Sequence, residues 1–293
     1  MTKFDREYLE LCRKILEKGT LLKDTRSGAT HKIPNWHFTF DLEEEFPILT
    51  TKQVYIRQAI LEMLWIYQVQ SNEVKWLQDR NVHIWDEWEV QKDGYWYGNG
   101  YEKDQQGRKF IGEEYAGTIG TAYGYVVRKY KQMDRLIYKL KNLPNMRDKI
   151  ISLWQEECLE TASLKPCVWS SEWDVTNGKL NASIHQRSCD VPLGLPFNVT
   201  QYAVLTHMLA QVCDLKVGTI DWSIQNAQIY ENQVDGIKEQ LRRYNEMGDH
   251  PAPQLWINPE VTNFYDFDHS EHQTDVKVLN YKHNGPIIMP ISR

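Results

Sequence analysis

Phe4, Tyr8, Cys12, Ile15 and Leu16 recur at helical spacing and stop before Gly19. This pattern predicts an opening amphipathic helix with a glycine at its C-terminal end. Ile60, Leu61, Leu64, Ile66 and Tyr67 predict a second helix. Alternation in WHFTFDL predicts a strand from Trp36 to Leu42. VWSSEWDV, TNGK and LNASIHQRS predict a hairpin in which Asn177-Gly178 supplies the tight turn. The helical period returns in TQYAVLTHMLAQVC, with Tyr202, Leu205, Leu209 and Val212 on one face, and again in VDGIKEQLRRYNEM. Residues 90–118 are rich in Gly, Tyr and charge without a clean period, so a loop-dominated excursion at a substrate mouth is expected there. Gly and Pro are spread along the chain and no repeat is visible. The expected architecture is therefore α+β, one domain over residues 1–293 with a mixed twisted sheet flanked by helices.

Composition narrows the classes of ligand. A chain of 293 residues, 41% of them hydrophobic, can bury a sizeable core. Its formal charge of -6 argues against broad binding to a DNA or RNA backbone and leaves room for a small cationic pocket holding a small anion. Apolar runs are broken by charge well short of the roughly 20 residues that span a bilayer, and MTKFDREYLE lacks an apolar signal region. A cytoplasmic protein with no membrane partner is the expectation. The five cysteines show neither CxxC nor Cys/His ligand spacing, so reduced thiols and no metal site are expected.

The candidate chemistry lies between Pro166 and Asn198. Cys167 follows Pro166 at the head of the hairpin, and Arg187 lies on the return strand, where a guanidinium near the thiol would favour the nucleophilic thiolate. A lone Cys in a strand is more often a small buried hydrophobe. In HQRSCDVPLGLPFN, residues 185–198, the polar groups of Gln186, Arg187, Ser188 and Asp190 each need a partner if buried. Arg187 and Ser188 suit a phosphate. The turn at Gly194 and Pro196 can bring backbone amides and the Asn198 amide toward a heterocycle edge. The structural alternatives are an Arg187–Asp190 ion pair and Asn198 as a helix cap.

PCVW, HQRSCDVPLGLPFNVTQYAVLTHMLAQ and QIYENQ resemble the thymidylate synthase family. TRSG, FPILTTK, ILEMLW, NVHIWDEW, AYGY and NYKHNGPIIMP follow in family order, and PQLWINPEVTNFYDF is similar to one bacterial branch. The resemblance implies the family's fold and a homodimer formed through a sheet face. It implies methylation of dUMP at C5 with 5,10-methylenetetrahydrofolate, and no metal. Cys167 would attack pyrimidine C6, Glu62 would relay protons, and Asn198 would help hold the charge developing at O4. Tyr123 and Arg187 complete the implied catalytic set with Asp190. Arg26, Arg147, Gln186, Arg187, Ser188, Asp190, Gly194, Asn198, Gln228 and Tyr230 would contact the nucleotide. Trp85, Trp88, Asp190, Leu193 and Gly194 would lie on the folate side, and the C-terminal tail would close over them. Family analogy alone adds binding of its own mRNA.

Four departures from the family pattern bear on that expectation. Arg147 is followed by Asp148 rather than a second Arg, with Lys149 as a replacement by a shift in register. Ile224-Gln225-Asn226 and Gln228 stand where Gly-Gly-Asp and a sugar-contacting His are common. Val168 follows the cysteine, and the chain ends in Arg293. The alternatives are a pyrimidine nucleotide hydroxymethylase, a non-catalytic nucleotide- or RNA-binding relative, and a hydrolase pairing Cys167 with His185 or His207.

Overall fold

The first apolar stripe forms helix α1, Lys3–Lys18, with Phe4, Tyr8, Leu11, Cys12 and Ile15 fully buried. The Thr2 hydroxyl accepts from the Asp5 N–H at 3.0 Å and Gly19 closes the far end. The computed structural model describes residues 2–23, 27–98, 104 and 107–292, so Arg26 and Arg293 lie outside the described residues.

Strand β1 (Thr20–Leu22) pairs with β2 (Thr30–Asp41), which starts at Thr30 rather than at Trp36. Helices α2 (Ile56–Tyr67) and α3 (Val74–Gln78) follow. The described part of the 90–118 segment contains an antiparallel pair that its aperiodic sequence did not predict, β3 (Tyr95–Tyr97) with β4 (Arg108–Phe110). Val90, Trp96 and Ile111 form a small separate apolar cluster against Trp88 and Tyr115. Three side chains brought together in space organise this segment, and no period along the chain encodes them.

Next come α4 (Gly124–Lys129), α5 (Gln132–Asn142), β5 (Ile150–Ser152) and α6 (Glu156–Leu159). The expected hairpin is β6 (Val168–Thr176) and β7 (Lys179–Gln186). Asn177 and Gly178 hold φ of +53° and +72° between them, the left-handed conformation a two-residue turn requires. The chain continues through β8 (Cys189–Asp190), α7 (Gly194–Val212), β9 (Lys216–Tyr230) and α8 (Val234–Met247) to an antiparallel pair, β10 (Gln254–Ile257) and β11 (Val276–Leu279).

Seven strands form one mixed sheet in the order β1-β2-β9-β7-β6-β5, with β8 beside β9. The β7–β9 and β8–β9 pairs are parallel. Parallel neighbours need a long crossover, and α7 supplies it. None of its residues is exposed, and it packs against α2 on one side and β7 and β9 on the other. The single face of Tyr202, Leu205, Leu209 and Val212 therefore understates it: this helix is enclosed all round. It also begins at Gly194 rather than Thr200, which puts Asn198 inside the helix instead of at its cap. One continuous apolar core joins α1, α2, α7 and the sheet. No helix among the described residues is long and apolar enough to cross a membrane.

Two irregularities aim side chains. Trp169 is an extra residue in the β6–β7 ladder, where Val168 pairs with Gln186 but Ser170 with His185. The β2–β9 ladder skips Asn35 and Gln225, and Asn35 has φ of +53°. Across that skip the buried positions of β9 change from Ile220, Trp222 and Ile224 to Ala227 and Ile229. Gln228 and Tyr230 are thereby turned out of the core and into a cavity.

The Asp5 carboxylate, fully buried, fastens α1 to the segment that leads into α2. It accepts from the Thr50 and Thr51 N–H groups at 3.0 and 3.1 Å and from both threonine hydroxyls. Asp5→Ala leaves those donors unsatisfied and is expected to cost about 3–5 kcal/mol, read from urea unfolding midpoints.

Candidate active site

A cavity of about 820 Å³ opens beside the end of the sheet, lined by Cys167, Arg187, Ser188, Asp190, Asn198 and Tyr230 among others. Residues 287–289, 291 and 292 form part of its wall. A smaller cavity of about 200 Å³ shares Cys167, Glu62, Trp88 and Asn198 and adds Trp85 and Tyr123.

Cys167 is part-buried, between Pro166 and the start of β6. Its backbone is held from both sides. The N–H donates to the Tyr123 hydroxyl at 3.3 Å, and the carbonyl accepts from the Arg187 N–H at 2.9 Å. Tyr123 has φ of +48°, a costly conformation for a residue with a Cβ, and its burial, with Cys167 alongside, holds the phenol well above its usual pKa. It stays a neutral hydroxyl. Arg187 does not pair with Asp190. Its Nε and Nη2 donate to the carbonyls of Pro166 and Lys165, both at 2.8 Å, and its guanidinium lies 5.5 Å from the Trp154 ring centre. The guanidinium is thus pinned to the chain immediately preceding Cys167.

Asp190 keeps an edge open to the cavity but is otherwise enclosed, and this enclosure raises its pKa. Its Oδ1 accepts from the Leu193 N–H at 3.0 Å and its Oδ2 from Gln233 Nε2 at 2.9 Å. Lys52 lies behind it, donating to the Pro192 carbonyl. Burial pulls the Lys52 ammonium down to about 8, against the opposing pull of Asp190.

A one-way hydrogen-bond chain crosses the site. Trp222 Nε1 donates to Gln186 Oε1 at 3.0 Å, Gln186 Nε2 donates to Asn198 Oδ1 at 3.1 Å, and Asn198 Nδ2 donates to Gln201 Oε1 at 3.2 Å. Gln201 Nε2 donates to Glu62, whose other oxygen accepts from Trp85 Nε1 at 2.7 Å. An indole can only donate and a carboxylate can only accept, so the two ends fix the orientation of every amide between them. Burial raises the Glu62 pKa, with Trp85 and Gln201 opposing that shift.

The remaining expected site residues fall into two groups. Ser188, Leu193, Gly194, Gln228, Tyr230 and Trp88 line the larger cavity. Gln228 Nε2 donates to the Tyr230 hydroxyl at 3.1 Å, so the two form one polar cluster on the cavity wall. Gln186, 2% exposed, and Trp85 do not line the larger cavity; the first orients Asn198 and the second Glu62. Arg147 is exposed and away from the cavity of its own chain. Lys149 does not replace a second arginine, because it is buried and donates to the carbonyls of Pro144 and Met146. Asp148 pairs with Lys139 at 2.8 Å. His185 pairs with Glu172 at 3.6 Å, and His207 packs on Phe46, its pKa pulled down to about 4 by burial. Neither histidine lines a cavity with Cys167, which removes the hydrolase alternative.

Sequence reasoning missed Gln201, Trp222, Lys52 and Gln233. Gln201 carried a signal, standing three residues after Asn198 on a helix. The others meet the site only through sheet pairing or loop packing.

Fold and cleft together define an α+β enzyme with its polar site at one end of a mixed sheet. The profile of the family described as thymidylate synthase matches residues 6–293. The chain is 47% identical to a thymidylate synthase of Clostridium beijerinckii and 35% identical to thymidylate synthase 1 of Bacillus subtilis, each over the whole of both chains. The solved structure of thermostable thymidylate synthase A from Bacillus subtilis superposes with a TM-score of 0.85 at 36% identity, again covering both chains completely. The chain belongs to the thymidylate synthase family, the methyltransferases of dTMP synthesis.

The one-way chain makes a pH-dependent prediction. Gln201→Glu puts a second carboxylate against Glu62, and burial together with like charge holds a proton on the pair. Stability is then present at low pH and lost as pH rises through the raised pKa. Urea unfolding is expected to show a loss of about 2–4 kcal/mol at pH 8 and a distinctly smaller loss at pH 5.

Proposed function

We propose that this enzyme methylates C5 of dUMP using 5,10-methylenetetrahydrofolate and releases dTMP and dihydrofolate. The observation that carries the choice of substrate is the fixed direction of the Trp222-to-Glu62 chain. With its amide so oriented, Asn198 can accept from the uracil N3–H and donate to O4. Cytosine exchanges donor and acceptor at that edge. To match cytosine, Asn198 and both glutamines must turn over. That sets a Gln186 NH2 against the Trp222 N–H and a Gln201 carbonyl against the Glu62 carboxylate, at the cost of two unmade buried hydrogen bonds.

Cys167 Sγ forms a bond to C6, and the C5–C6 electron pair moves toward C5 and O4. Asn198 Nδ2 holds the charge at O4, and Glu62, poised by its raised pKa, moves protons there. The folate supplies the one-carbon unit and the hydride. C5 bonds to that one-carbon unit; its proton is then lost as the carbon–nitrogen bond to the folate breaks, and hydride addition to the transferred carbon with departure of Cys167 as thiolate restores the C5–C6 double bond. Arg187 and Ser188, with Arg26, bind the phosphate; Gln228 and Tyr230 hold the sugar; Trp88, Leu193, Gly194 and Asp190 face the folate.

Arg147 acts on the partner subunit's nucleotide in a homodimer formed through the sheet face. The exposed Met146, Ile150 and Trp169 near it support a covered surface. With Asp148 held by Lys139 and Lys149 turned inward, only one cation of this segment is offered across that interface. A cytoplasmic address accompanies these water-soluble substrates.

Mass spectrometry of products from dUMP and 5,10-methylenetetrahydrofolate is expected to show dTMP with dihydrofolate. Cys167→Ala should lower turnover by at least about 10³-fold. A 5-hydroxymethyl product with tetrahydrofolate would replace this reaction by the hydroxymethylase alternative, and tight dUMP binding without product would replace it by a binding role. Asn198→Asp, which offers an acceptor to an exocyclic amine, is expected to move the dUMP-to-dCMP ratio of kcat/KM toward dCMP by about 100-fold.

A further inference from the structure

Gln233 is fully buried between β9 and α8, outside the catalytic set described above. Its Oε1 accepts from the Tyr230 N–H at 3.1 Å. A backbone N–H can only donate, so the amide orientation is fixed and Nε2 points the other way. Nε2 has two hydrogens and two acceptors: Asp190 Oδ2 at 2.9 Å and the Pro290 carbonyl at 3.3 Å. One amide therefore touches the strand that carries Tyr230, the cavity carboxylate and the C-terminal strap. The strap has few other fastenings among the described residues. Ser292 Oγ donates to Asn232 Oδ1 at 3.1 Å, and Met289, 7% exposed, sits against Gly236. A Cβ at Gly236 would stand 2.6 Å from Met289 Cγ, so glycine makes room for that side chain. Its neighbour Ile288 is 94% exposed.

We infer that Gln233 is a positioning residue that latches the C-terminal strap, residues 287–292, to Asp190, so that strap closure and carboxylate orientation depend on one amide. When the strap leaves, Nε2 loses one of its two acceptors and the Gln233–Asp190 bond loses its counterweight. When Asp190 turns, Nε2 keeps only the Pro290 carbonyl of its two acceptors, and the tie between strap and carboxylate is broken. The kinetic half of this inference rests on the folate-side role proposed for Asp190; the structural half does not.

The test uses the full chain labelled with 13C at the methionine methyls. The Met289 signal, identified as the one missing in Met289→Leu, reports the strap with no ligand present. Gln233→Glu keeps an acceptor for the Tyr230 N–H and removes the donor. It is expected to move the Met289 signal to the position of an unstructured methionine and sharpen it. In turnover, the KM for 5,10-methylenetetrahydrofolate should rise about tenfold while the KM for dUMP changes by less than about twofold. Gln233→Asn, one methylene shorter, is expected to do the same and serves if the glutamate variant fails to melt cooperatively. Met289→Ala unseats the strap with the amide intact and should raise the folate KM by less. An unmoved Met289 signal in the Gln233 variants overturns the latch. Equal folate KM increases in Met289→Ala and Gln233→Glu overturn its link to Asp190. Wild-type protein that makes no dTMP would sink the proposed reaction alone, since the methyl signal needs no turnover.

Discussion

The polar chain from Trp222 through Gln186, Asn198 and Gln201 to Glu62 is the constraint on which the rest of the site depends. It runs through a part of the core where an unpaired amide would cost about 1–3 kcal/mol, so every link must be made and each fixes the next. The fold serves that requirement. Helix α7 carries Asn198 and Gln201 three residues apart, α2 carries Glu62 against it, and β7 and β9 bring Gln186 and Trp222 to the other end. Only a helix enclosed by a sheet and a second helix can have its polar residues met from both sides. The orientation of Asn198 is in this sense a property of four elements.

Local irregularity then aims the groups around that chain. The extra residue at Trp169 lies two positions beyond Cys167, and the skipped pair at Asn35 and Gln225 reverses which face of β9 carries its polar side chains. A regular ladder would bury Gln228 and Tyr230 or turn the thiol's neighbours elsewhere. Tyr123 supports the thiol's backbone from a left-handed conformation that an L-residue adopts only when its surroundings enforce it. Tyr123 thus places strain beside the cleft, while the α1 contacts to Thr50 and Thr51 are well satisfied.

The unusual residues are accommodated by different means. Gln228 presents a non-titrating amide that donates to the Tyr230 hydroxyl. Asp148 and Lys149 are each occupied within their own subunit, one on the surface and one in the interior. A substitution that reads as charge reversal in the sequence is, in the fold, a local ion pair beside an arginine that remains exposed.

Much of the fold was legible in one dimension. The opening helix, the Asn177-Gly178 hairpin and the α8 helix follow from hydrophobic period and turn chemistry, which act between near neighbours along the chain. The motif around Cys167, Arg187, Asp190 and Asn198 was legible because its residues are close in sequence. What the sequence could not determine was who meets whom. The β3–β4 pair rests on Val90, Trp96 and Ile111 finding one another, Gln186 became a positioning group because Trp222 reaches it across a parallel ladder, and Lys149 turned inward to two carbonyls. Periodicity decides which face of an element is buried. The ends of the polar chain are set by partners tens to hundreds of residues apart, Trp222 on Gln186 and Gln201 and Trp85 on Glu62, that only tertiary packing brings within hydrogen-bond distance.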